Sequence, residues 1–409
     1  MEEKEKGAQI APLEGIKVVE VAQWVAAPSA GAILGDWGAD VVKIEHPVRG
    51  DGSRGMKVIG GMPVSDVNYP WELDNRNKRS VTLDISKKGG QEALHKLIAK
   101  CDVFLTSLRP SELRRYDLEY ETLSKTNSRL IFASLTGYGR KGPDREKPGF
   151  DYTAFWARSG LQAIVREPGR PPVFQRPGMG DHITALAIAC GINTALFVRE
   201  RTGIGQEVDV ALFGTGIWTL GIDTMCALVT GQYPAMRTRS EMMGMTNVYQ
   251  TKDGKWIMMM HLQPDAYWSM FCKALELEHI ENDERFNSFL PRLQHEGELV
   301  PIVEESMAKR TLEEWKQRMD EYGLIWAPVQ EPTDVAKDPQ AWATDCFETF
   351  EHPTLGPISF VAIPMKLSLT PASIRTTAPE LGQHTEEALL EIGYSWDDIA
   401  RLKEDGIVA

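Results

Sequence analysis

The 409-residue chain is short of cysteine, of unbroken apolar sequence and of positive charge. Its five cysteines, Cys101, Cys190, Cys226, Cys272 and Cys346, form no CxxC pair and no other spacing of metal ligands. So sparse and odd a set argues against a disulfide framework and suits a reducing cytoplasm. No twenty consecutive apolar residues occur, so no membrane span is expected; "WIMMMHL" is strongly apolar but far too short. The first residues, "MEEKEKGAQIAPLEG", lack the apolar core of a secretory signal, and the expected location is cytoplasmic. Lysine and arginine number 45 against 58 aspartates and glutamates, a formal charge of −13. That balance argues against a general nucleic-acid binder, although a local cationic site can still hold phosphates. The GxGxxG turn is also missing after the first strand candidate, so nothing marks a nicotinamide dinucleotide site.

What is present reads as an α/β chain. "IKVVEVA" (16–22) is a strand candidate rich in β-branched residues, "PSAGAILGDWG" (28–38) a packed helix, and "ADVVKIE" (39–45) a second strand. The rhythm continues through "SVTLDI" (80–85), the helical "KGGQEALHKLIAK" (88–100), "CDVFLTS" (101–107) and "SRLIFASLTGYG" (128–139). Alternation of this kind predicts a parallel sheet, whose strand-end loops are common ligand positions. An apolar segment from Ile183 to Phe197 predicts a buried helix ended near Gly203. Near residue 220 the composition changes. Asp253-Gly254 predicts a hairpin, "PDAYWSMFCKALEL" a helix, and Thr311 with Glu314 a capped helix start, which together suggest a smaller α+β domain. "HTEEALLEIG" and "WDDIARLKEDGIV" predict two short helices in the tail. The expected organisation is residues 1–220 in a large domain, 221–340 in a small one, and 341–409 returning to the first.

"RPGMGDHITALAIACG" (176–191) sets an aspartate and a histidine between a polar turn and the apolar helix. Asp181 either caps that helix, accepting bonds from its open amides, or does chemistry there. His182 fits packing or hydrogen bonding better than direct catalysis, and Cys190 fits packing within its helix.

The ordered fragments "GIKVVEVAQWVAAPSAG", "GADVVKIEHP", "DNRNKRSVTLD", "GYGRKGPDREKPGFDYTAF" and "GMGDHITA" resemble class III coenzyme A transferases, the CaiB/BaiF family. The pattern is most like the subgroup acting on (R)-2-hydroxyacyl-CoA, and it spans nearly the whole chain. The resemblance implies a Rossmann-like large domain with a smaller central α+β domain, and an interlocked homodimer. It implies reversible transfer of CoA from an acyl-CoA to a carboxylic acid, with CoA as substrate or product and without metal or nicotinamide. Asp181 occupies the position of the family's nucleophile, which passes through an aspartyl anhydride and an aspartyl-CoA thioester. Amides of the "GMGD" segment are candidates for stabilising the developing oxyanion.

Other roles are implied residue by residue. Gln23 and Trp24 approach the acyl region, with a structural turn and a buried aromatic as the alternatives. Tyr152 lines the site or packs in the core. His46, Lys78, Arg79 and Arg115 match positions near the CoA phosphates. In the racemases of the family a histidine precedes the aspartate in "GHD"; here the segment is "GFD", so Phe150 stands where a proton carrier would and cannot exchange one. The stretch "MMMHLQPDAYW" lacks the glycine run that forms a lid in some transferases. The alternatives to CoA transfer are an acyl-CoA racemase and a non-catalytic CoA-binding protein.

Overall fold

The computed structural model describes residues 11–58, 62–353 and 355–409. Six strands build a wholly parallel sheet: β1 (Lys17–Val21), β2 (Asp40–Glu45), β3 (Lys78–Thr82), β4 (Val103–Thr106), β5 (Ile131–Thr136) and β6 (Glu207–Ala211). Their spatial order is β3-β2-β1-β4-β5-β6, the doubly wound order of dinucleotide-binding folds. The strands can be parallel because helices carry the chain back between them, among them Ala26–Asp36, Lys88–Ala99 and Met179–Thr202.

Successive strand side chains point to opposite faces, and each face has its own core. Val18, Val41, Val103, Leu105 and Ile131 pack with helices Ala26–Asp36 and Met179–Thr202. Val19, Val42, Ile44, Phe104 and Phe132 pack with helix Lys88–Ala99 and with the tail helices Thr385–Glu391 and Trp396–Glu404. The tail also covers edge strand β3. The Thr82 amide donates to Thr385 Oγ1 at 3.0 Å, and the Asp84 amide donates to the Ile407 carbonyl at 2.8 Å. By length and composition the Met179–Thr202 helix could cross a membrane. In this fold Ala185, Ile188, Ala189 and Ile192 instead bury one side of it in the core.

The compact units are Met1–Ile164 with Val173–Gln232 and Thr344–Ala409, and Val165–Pro172 with Tyr233–Ala343. The first boundary falls beyond residue 220 because helix Gly221–Thr230 follows directly on helix Leu212–Thr219 and ends at Gly231, φ +74°. The second unit holds an antiparallel sheet of β7 (Thr246–Gln250), β8 (Trp256–Met260) and β9 (Trp326–Pro328). Helices Pro264–Leu275, Glu296–Met307 and Leu312–Glu321 cover a core of Tyr249, Ile257, Phe271, Val303 and Trp315. Within the first unit, β10 (Phe347–His352) and β11 (Gly356–Val361) form a separate antiparallel hairpin.

Candidate active site

A cleft of about 550 Å3 opens at the carboxyl ends of the parallel strands. Its wall includes Gln23 and Trp24 after β1, His46 after β2, Asp84 after β3, Ser107 and Arg109 after β4, and Thr136 at the end of β5. The sheet order reverses between β1 and β4, and at such a switch point the loops diverge and leave a crevice. Phe150 and Asp181 complete the wall.

Asp181 is the third residue of the Met179–Thr202 helix. Gly178 occupies the N-cap, in a left-handed conformation, and no side chain makes a capping bond. The helix-cap reading of Asp181 therefore fails: its carboxyl lies on the cleft wall instead. Burial, Asp151 and Asp74 push that carboxyl up from 3.8 to about 7, against the opposing pull of His182. Gly180 permits this crowding, since a Cβ there would lie 2.3 Å from Asp151 Oδ1 and from the Phe155 ring. Asp151 is itself buried, and burial raises its pKa while the amides of Gly178 and Gly180 oppose the rise. His182 sits beside the buried Asp74, Nε2 to Oδ1 at 3.1 Å, and Ser29 Oγ donates to the same Asp74 oxygen at 2.7 Å. Burial lowers the His182 pKa, but Asp74, Asp181 and Asp151 together outweigh it and the net shift is upward.

The sequence-predicted residues divide. Asp181, Gln23, Trp24, Phe150 and His46 meet in the cleft. The Trp24 and Phe150 rings pack edge to face, with centroids 6.1 Å apart. His46 Nδ1 accepts from the amides of Val48 and Arg49 at 3.1 and 3.3 Å, which leaves Nε2 to carry the proton. Tyr152 lies off the wall, its ring stacked on Phe174 at 4.7 Å. Arg115 is exposed at the end of helix Pro110–Arg115, its guanidinium 5.4 Å from the ring of Tyr116, which does line the cleft.

Lys78 and Arg79 do not face the cleft, and their assignment to phosphate is corrected. Lys78 is wholly buried, with Nζ 2.9 Å from Glu20, 2.7 Å from the Pro28 carbonyl and 3.0 Å from Asn75 Oδ1. Burial and the neighbouring Lys43 lower it to about 8, and Glu20 opposes the fall. Arg79 binds Asp40 and Glu391 and approaches Glu387. A strand alternates its faces, so two adjacent cations on β3 leave in opposite directions, and here both find carboxylates. The cations that do line the cleft are Arg49, Arg109, Arg145 and Lys147. Sequence reasoning missed them, although Arg109 follows a predicted strand and Lys147 immediately precedes the "PGFD" segment.

The chain matches the model of CoA-transferase family III over residues 13–385. It belongs to that family, and CoA transfer is its activity. It is 38% identical over 399 residues to an (R)-2-hydroxy-4-methylpentanoate CoA-transferase of Clostridioides difficile, covering 97% of this chain and 99% of the relative. It is 34% identical over 397 residues to a cinnamoyl-CoA:phenyllactate CoA-transferase of Clostridium sporogenes, covering 96% of each. A crystal structure of a CaiB/BaiF family protein from Brucella suis superposes with a TM-score of 0.82 at 28% identity, covering 94% of this chain and 100% of the other. Among the described residues, no group of three or more His, Cys, Asp or Glu side chains is placed to hold a metal ion.

Proposed function

We propose that this transferase moves CoA between an acyl-CoA and a monocarboxylic 2-hydroxyacid, with Asp181 as the covalent nucleophile. The observation that carries this reading is a carboxyl on the wall of a strand-end cleft, between aromatic rings and a set of cations. Asp181 attacks the thioester carbonyl; the carbon–sulfur bond breaks and CoA leaves as thiolate. That thiolate attacks the aspartyl carbonyl of the resulting anhydride, releasing the first acid as its carboxylate. The incoming carboxylate attacks the aspartyl-CoA thioester and displaces CoA again. The thiolate finally attacks the acyl group of the incoming acid, and the Asp181 carboxylate returns. No proton is consumed, and the thioester's free energy is kept as long as water stays away from the anhydride.

Arg49, Arg109, Arg145 and Lys147 suit the phosphates of CoA, and His46 offers Nε2–H beside them. Gln23 is exposed next to Trp24, where its amide can orient a carboxylate or carbonyl. The rings of Trp24 and Phe150 favour an apolar or aromatic acyl group, as do the 4-methylpentanoate and phenyllactate in the relatives' names. Phe150 supplies no proton, which disfavours racemisation.

A homodimer fits the apolar side chains left exposed on three successive helices. Phe197 is on Met179–Thr202, Trp218 on Leu212–Thr219, and Ile222, Leu228 and Val229 on Gly221–Thr230. All five cysteines are unpaired, in keeping with a reducing cytoplasm.

The test is rapid quenching after mixing with an acyl-CoA. The peptide containing Asp181 should carry a hydroxylamine-sensitive acyl or CoA adduct, and Asp181→Asn should lose it along with at least about a thousand-fold of the transfer rate. An adduct confined to Cys190, or normal turnover by the asparagine variant, would overturn the mechanism. A panel of lactate, 2-hydroxyisocaproate, phenyllactate, oxalate and carnitine-like acids tests the substrate class. Clearly faster transfer to oxalate or carnitine would overturn it.

A further inference from the structure

We propose that Gly52 determines which acids this site accepts, because its missing side chain is what lets the Trp24 indole lie where it does. The inference rests on the CoA-transfer reading of the cleft. Trp24 has a φ of +72°, a left-handed backbone that a bulky residue rarely adopts. The Trp24 amide donates to Asp51 Oδ1 at 3.0 Å, and the same oxygen accepts from the amide and hydroxyl of Ser53 at 2.9 and 2.8 Å. The other Asp51 oxygen meets Lys43 Nζ at 2.8 Å, and Lys43 reaches the buried Glu20 at 2.8 Å and the Ala22 carbonyl at 3.0 Å. Glu20 and Lys43 face each other across β1 and β2, so the strained turn is tied to the middle of the sheet.

The indole is thus fixed at its root, and its half-exposed ring has two close neighbours. On one side lies Gly52, where a Cβ would stand 2.8 Å from Cζ2 and 2.9 Å from Cη2 of the ring. Toward the cleft stands Phe150, edge to face. Gly52 is outside the left-handed region, so its backbone accepts alanine, and the three atoms nearest to the added Cβ are all indole carbons. Carbon atoms pack at about 3.5–4.0 Å, so one methyl group must drive the ring more than about half an ångström. Driven from the Gly52 side, the ring moves into the cleft it shares with Phe150 and Asp181. The pocket then shrinks for branched and aromatic acyl groups and stays open for short ones. Asp51 acts as a positioning residue through the Trp24 amide, and Gly52 sets the clearance.

The experiment compares kcat/KM for lactate, 2-hydroxyisocaproate and phenyllactate in the full-length wild type, Gly52→Ala, Trp24→Phe and the double variant. Gly52→Ala should lower the phenyllactate-to-lactate ratio by roughly tenfold, a methylene-sized change in pocket fit. The double variant should recover most of that ratio, because the smaller ring clears the methyl group. Equal losses for all three acids, an unchanged ratio or no recovery in the double variant would each overturn the proposal. If Gly52→Ala does not fold, Trp24→Phe alone must shift the ratio toward the bulkier acids, and a constant ratio there is also refuting. A wild type that transfers CoA to none of the three acids refutes the 2-hydroxyacid reading instead, which separates the two failures.

Discussion

Replacing Asp181 by asparagine should stabilise the fold at alkaline pH while leaving it nearly unchanged in acid. Burial and two neighbouring carboxylates raise Asp181 from 3.8 to about 7, so folding resists its ionisation. A tenfold change in proton affinity is about 1.4 kcal/mol, so holding the ionised form in the fold costs at most about 4 kcal/mol. At pH 4 the folded carboxyl is protonated and the unfolded one still about two-fifths so, and this cost is only about 0.6 kcal/mol. It grows once the unfolded chain releases its proton above 3.8, and it is complete when the folded group ionises above about 7. Asparagine matches the protonated shape and never ionises. Asp181 lines an open cleft where water relieves part of the charge, and the substitution also deprives His182 of a favourable neighbour. The gain expected at pH 8.5 is therefore about 2 kcal/mol. Urea unfolding of both proteins at pH 4 and pH 8.5 measures it directly. An asparagine variant less stable at pH 8.5, or a difference independent of pH, would refute the account of a carboxyl held in unfavourable surroundings.

The same carboxyl should give kcat/KM for the acyl-CoA a rising limb with an inflection near pH 7, and His182→Gln should move that inflection upward, because His182 favours the ionised form. Arg109→Ala or Lys147→Ala should weaken CoA several-fold, about 1 kcal/mol, yet leave binding of a pantetheine fragment unchanged, as calorimetry with both ligands can decide. Lys78→Met should behave oppositely, destabilising the fold by about 3 kcal/mol while any folded protein binds CoA normally, because it breaks a buried pair with Glu20. Trp218→Lys should convert a dimer to monomers in sedimentation; a monomeric wild type would remove the basis for that assembly.

Most of the parallel sheet is legible because its strands are β-branched runs bounded by turns. β3 runs over Lys78–Thr82, a little earlier than the "SVTLDI" pattern suggests, and Asp253-Gly254 does join two antiparallel strands. The capped helix start at Thr311 is also observed, with the Glu314 carboxylate accepting from the Thr311 amide. β6, "EVDVA", is not legible: it has two carboxylates in five residues and becomes a strand by pairing with β5. Lys78 misleads for a related reason. Composition gives it a charge, but only the pleat of β3 and the presence of Glu20 two strands away decide that the charge is spent inside. Asp151 carried no separate signal, because its effect on Asp181 comes from the close packing of the "GFD" and "GMGD" segments, far apart in sequence.

The tail's stitching to β3 also shapes how the molecule can be born. Thr82 waits for Thr385, 303 residues later in synthesis, and Asp84 waits for Ile407. A nascent chain growing from its amino end therefore displays an unfinished sheet until residues 385–407 have been made. Its edge strand and the apolar side chains meant for the tail helices stay uncovered throughout translation. Ribosome-bound chains stalled before residue 385 should thus remain protease-sensitive and demand holding chaperones. Fragments lacking the tail are poor starting points for dissecting this enzyme into pieces.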